Sequence, residues 1–178
     1  MKIMLGVLLV ILSALLMGAA YANQSSNVID DKNYVVRVIF AETVPSVSPD
    51  CNYERLLVAS VIQGRIGHPG FGKLKSMVQV VKQKGAFSCV NDSKNQMWKK
   101  GANPDTLKGN EKEAYEQCLK LAAGDFEAIL GPSGEKLVYY HDRSLKAAPK
   151  GWYSKYYEPV LEIETEHFKF YSVRARKV

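Results

Sequence analysis

The sequence predicts an α+β domain, with a helical N-terminal part and a small antiparallel sheet towards the C-terminus. Three observations carry that prediction. Apolar residues recur at helical spacing at Leu57, Val58, Val61 and Ile62, and again at Ala114, Tyr115, Cys118, Leu119 and Ala122. A turn signal, Gly131-Pro-Ser-Gly134, follows the second of these stretches. Beyond it, Leu161 to Thr165 and Phe168 to Val173 alternate with period two.

Each element follows from local chemistry. Residues 1–22 hold Lys2, an apolar run from Ile3 to Leu16 and a small-x-small site at Ala20-Tyr-Ala22, which is the order of a signal peptide cleaved after Ala22. An uncleaved anchor is the rival reading, because Ile3 to Ala20 is barely long enough to span a bilayer. Residues 23–32 form a polar lead-in, and 33–178 a single domain large enough to bury a core. Asp30 or Asp31 suits the start of a helix that runs from Tyr34 to about Glu42. Val35, Val38 and Ile39 share a face with Glu42, and Val36 and Phe40 make the run apolar all round. So short an apolar run also reads as a strand.

Thr43 to Cys51, with Pro45 and Pro49, is a loop. Tyr53 to Ile66 is a second helix, stopped by Gly67-His-Pro-Gly-Phe-Gly72, and Leu74 to Lys82 a third. Gly85 to Pro104 reads as an irregular segment, long enough to be functional. Asn110 and Glu113 make a capping box for the last helix, with Glu116 and Lys120 paired on its outer face and Gly124 at its end. Leu137 to His141 reads as a strand.

The net charge is +6, and cleavage would remove only Lys2 from it. An exported basic protein meets an anionic envelope surface rather than nucleic acid, and has no stable membrane anchor once its leader is gone. Cys51, Cys89 and Cys118 are odd in number, so an oxidising compartment allows at most one internal disulfide, with the pair left open.

Glu42 is the leading catalytic candidate. It ends the run Val-Arg-Val-Ile-Phe-Ala-Glu. A carboxylate in apolar surroundings loses hydration, which favours the protonated form that a general acid needs. The plain rival is a solvated charge at a helix end. A glycosidase normally uses a second carboxylate, for which Asp50, Glu54, Asp92 and Asp142 are available, each with an ordinary structural role as well. Some sugar cleavage needs none: the C6 hydroxyl of muramic acid attacks its own anomeric carbon at high effective concentration.

His68, His141 and His167 show no metal-ligand spacing, so no metal or cofactor is expected. Ser88 lacks a nucleophile elbow. Cys89 with His141 could be a nucleophile and base, although a disulfide or buried thiol is the plainer reading. Trp98, Trp152 and the tyrosines at 139, 140, 153, 156 and 157 offer rings that stack on sugars or fill the core.

Five ordered segments resemble the SleB-type cell wall hydrolases, the spore-cortex-lytic family. They are Val36 to Glu42; Val58-Ala-Ser-Val-Ile-Gln-Gly-Arg65; Gly85-Ala-Phe-Ser88; Leu137-Val-Tyr-Tyr-His141; and Trp152 with His167-Phe-Lys-Phe-Tyr171. Gly64 stands where that family usually has Asn, Ala86 where it often has Gln, and the loop after Glu42 lacks the usual Ala-Arg-Gly-Glu. The resemblance implies a lysozyme-like α+β fold and an enzyme acting on peptidoglycan glycan strands, and the leader makes that enzyme an exported one, secreted or periplasmic. It further implies lytic transglycosylase chemistry with Glu42 catalytic, and a cleft in which Phe87, Ser88, Tyr140, His141 and Trp152 meet the substrate. The alternatives are a lysozyme-like module that binds peptidoglycan or a partner without cutting, a muramidase, and an N-acetylmuramoyl-L-alanine amidase.

Overall fold

The computed structural model describes residues 31–152, 154 and 156–176. The leader 1–22, most of the lead-in and Tyr153 therefore lie outside the described residues. Helix α1 covers residues 31–42. Val35, Val36, Val38, Ile39 and Phe40 are all buried on it, so the run is a helix sunk in the core rather than a strand. Asp31 lies within the helix and pairs with Lys82.

Helix α2, Pro49–Gly64, begins four residues before the expected start. Ser48 supplies the reason: its Oγ accepts from Cys51 N at 3.2 Å, and Pro49 occupies the first turn, where a missing N–H costs nothing. Leu57, Val58, Val61 and Ile62 are fully buried, as their spacing predicts. Gly64 packs against the next layer so closely that a Cβ there would lie 2.1 Å from the Leu137 carbonyl oxygen. An Asn at this position would push the α2 terminus away from the strand that follows Leu137.

Helix α3, Met77–Val81, is shorter than expected, because Ser76 caps it through Gln79 N at 3.3 Å. The segment 85–104 is not irregular throughout. It folds into α4, Ser88–Asn91, and α5, Gln96–Lys100, the latter capped by Asn95 through Trp98 N at 2.8 Å. Helix α6, Gly109–Ala122, starts one residue before Asn110 and has no side-chain cap, so the expected capping box is absent. Ala114, Tyr115 and Cys118 face the core, whereas Leu119 is 37 % exposed. Among the described residues Glu116 and Lys120 form no ion pair, while Lys100 and Glu111 do.

The sheet is antiparallel in the order β1-β3-β2, with β1 Tyr139–Asp142, β2 Tyr157–Glu164 and β3 Phe168–Ala175. Phe170 and Leu137 enter the helical core from this side. The architecture is α+β, as expected.

A buried carboxylate ties the two layers together. Glu54 of α2 is fully buried; its Oε1 accepts from Thr165 Oγ1 at 2.6 Å and His167 N at 3.0 Å, and its Oε2 from His167 Nδ1 at 2.9 Å. Helix α2 thus holds the β2–β3 turn directly. All three cysteines are free thiols and buried.

Candidate active site

A cleft of 950 Å³ opens where the C-terminal end of α1, the start of α4 and strand β1 converge. Glu42, Phe87, Ser88, Tyr140, His141 and Trp152 all line it. Glu42 reaches it as the last residue of α1. Its carboxylate is not bare, as the apolar sequence context suggested. Oε1 accepts from Cys89 N at 2.9 Å and Ser88 Oγ at 3.3 Å, and Oε2 accepts from Tyr140 OH at 2.8 Å. One oxygen is therefore oriented by the helical turn after Phe87 and the other by the sheet. Burial, with Glu42 next to it, pushes the Tyr140 hydroxyl well above its ordinary range, so it stays a donor.

The other predicted residues have distinct places. Phe87 and His141 are 3 % and 7 % exposed, so they form the cleft wall from within the core. His141 has both nitrogens engaged: Nδ1–H donates to Asp142 O at 2.7 Å, which leaves Nε2 to accept from Tyr171 OH at 2.8 Å. Trp152 stacks on Tyr139 at 4.5 Å with 12° between planes, giving the cleft a flat aromatic side. Trp98 is elsewhere, edge-on to Tyr34 and under the Arg37 guanidinium, where it serves packing.

Burial, then the neighbouring Glu42, pushes the Cys89 thiol far up, and His141 has no free nitrogen for it. A Cys89–His141 nucleophile is thereby ruled out on geometry. Of the four possible second carboxylates, only Asp142 lines the cleft. It is exposed, and hydrogen bonds from Ser144 hold its carboxyl below the usual range. Glu54 is committed to the β2–β3 turn. Cys51, Glu54 and His167 bring potential ligand atoms within 4.8 Å of one another, outside the cleft lining. Both Glu54 oxygens are already taken by protein donors, which explains the cluster as a clamp.

The cleft also contains a residue that its position at a helix end alone does not mark as functional. Arg65, at the end of α2, is 6 % exposed and lines the cleft beside Phe71, Phe87 and Tyr139. An arginine closing an apolar helix was the available signal.

The Cell Wall Hydrolase family model matches residues 52–169, which include the cleft-forming α4 and β1 and begin downstream of Glu42. The chain belongs to the cell wall hydrolase family, whose substrate class is peptidoglycan. Comparisons with curated proteins and with solved structures give no match. Among the described residues no helix is long and apolar enough to cross a membrane.

Proposed function

We propose that this cell wall hydrolase is exported by its N-terminal leader and cuts the peptidoglycan glycan strand as a lytic transglycosylase, with Glu42 as its acid and base. The observation that carries the reading is the carboxylate of Glu42, held at both oxygens by Tyr140, Ser88 and Cys89 N inside a 950 Å³ cleft. Such a cleft accommodates several sugar rings, and Trp152 on Tyr139 gives them a stacking face.

Glu42 in its acid form protonates the glycosidic oxygen as the bond to the anomeric carbon breaks. The C6 hydroxyl of the same muramic acid residue attacks that carbon. The Glu42 carboxylate takes the hydroxyl proton, closing the 1,6-anhydro ring and restoring the acid. No water is consumed. Phe87, Tyr140 and His141 shape the wall against which the sugar sits.

Asp142 favours one alternative. A second carboxylate in the same cleft suits water activation and simple hydrolysis. Mass spectrometry of products from purified sacculi separates these chemistries. Anhydro-muropeptides support the proposal; reducing muramic ends replace it with hydrolysis, and free stems with amidase action. Glu42→Gln is expected to abolish release of soluble fragments while still binding sacculi. Full activity in that variant overturns the site, and absence of fragments from the wild type reduces the protein to a binding module.

A further inference from the structure

We propose that Arg65 forms a carboxylate-binding subsite in the cleft, taking an acidic group of the peptide-bearing sugar. That group is the lactyl carboxylate where the stem is gone, or a stem carboxylate where it remains. The inference rests on reading the cleft as a glycan-strand site.

Arginine carries five N–H donors in a rigid fork. Arg65 spends its Nε on Val138 O at 2.8 Å. Among the described residues, neither of its Nη groups has a hydrogen-bond partner, and neither is an atom sealed away from the surface. The rings of Phe71, Phe87 and Tyr139 surround the guanidinium at 4.9, 5.1 and 5.8 Å. Their faces attract the cation, Phe71 and Phe87 have no oxygen to offer, and among the described residues no hydrogen bond joins Arg65 to the Tyr139 hydroxyl.

Arg55, on the same helix, shows what a purely structural buried arginine does here. All its nitrogens are spent, on Gln117 Oε1, Val44 O, Ser46 O and Asn52 Oδ1. Arg55 ties the loop after Glu42 to α2. Arg65 lines the cleft, and among the described residues it leaves both Nη groups of its fork open. Glu42 does not fill it: its oxygens are held by Tyr140, Ser88 and Cys89 N, and among the described residues it forms no ion pair with Arg65.

A planar fork with two free nitrogens matches a two-oxygen anion. Carboxylates are the anions that peptidoglycan carries on and beside its peptide-bearing sugar. Engaging one would place that sugar, rather than its neighbour, next to Glu42.

The test uses the full chain carrying Glu42→Gln, so that binding is read without cutting. Soluble strands are prepared with stems intact and with stems removed, each native and with carboxyl groups converted to neutral amides. Amidation is expected to weaken binding about tenfold or more, the scale of a hydrogen bond to a charged group. Loss on stem-free strands assigns the lactyl carboxylate, and loss only on stem-bearing strands assigns the stem. Adding Arg65→Gln, or Arg65→Lys if melting shows the first to be unfolded, should abolish or sharply reduce that discrimination. Equal binding of native and amidated strands overturns the inference alone, as does full discrimination without Arg65. Failure to bind any strand overturns the proposed function together with this subsite.

Discussion

Tyr140→Phe removes one oxygen and keeps the ring, so it isolates a single hydrogen bond to Glu42. The hydroxyl donates to Oε2 at 2.8 Å and is the one protein donor on that oxygen among the described residues. A hydrogen bond to a charged acceptor contributes about 1.5–3 kcal/mol. In the free protein, cleft water can replace the lost donor at half-buried Glu42, so folding stability should fall by no more than about 1 kcal/mol. If Glu42 acts on a glycan strand as proposed, the bound strand displaces that water and the carboxylate loses its orientation, a misplacement expected to cost about 10- to 100-fold in kcat. Ser88→Ala should cost only about threefold, because its bond is longer, at 3.3 Å, and Cys89 N at 2.9 Å still holds the same oxygen. The assay is kcat and KM on soluble strands, with melting curves as the folding control. Full kcat in Tyr140→Phe, or a larger loss in Ser88→Ala, would refute the claim that Tyr140 orients Glu42.

Three further outcomes follow from the packing. Gly64→Asn should destabilise the fold by about 1–3 kcal/mol in denaturant melts, because even a Cβ meets the Leu137 carbonyl oxygen at 2.1 Å; an unchanged midpoint would contradict the close approach. Glu54→Leu leaves the Thr165 hydroxyl and the His167 N–H groups without their buried acceptor and should cost about 1–3 kcal/mol, whereas Glu54→Gln keeps one acceptor oxygen and should cost less than Glu54→Leu. Equal losses for the two would argue against the clamp. Burial lowers His68 below 6.5, so the unfolded chain binds the proton first as pH falls. Stability should therefore decline as pH drops from 6.5 towards the folded value, and His68→Gln should flatten that part of the melting-temperature profile; an unaltered profile would count against it.

The long elements were readable because their periodicity is local. Helices α2 and α6 and strands β2 and β3 each repeat their pattern often enough to declare a face. The short helices α4 and α5 were not readable, since four or five residues carry no period and form only because Asn95 caps one and Phe87 anchors the other in the core. Gly64 read as a departure from a family pattern; the structure makes it a packing requirement. Glu54 read as one of four available carboxylates, and only the fold brings His167 to it.

By itself the sequence determined the α+β class and the order of the main elements from neighbours within a few residues, and it singled out Glu42 from its apolar run together with the ordered segments that resemble a known family. The tertiary structure decided what surrounds that carboxylate. Tyr140 lies 98 residues from Glu42 and Cys89 lies 47 residues away, so no local pattern could have shown that they hold its two oxygens. The same folding put Asp142 and Arg65 in the cleft and buried Glu54 beneath a turn. Those fates depend on which surfaces meet, and that is settled only when the helices and the sheet share one core.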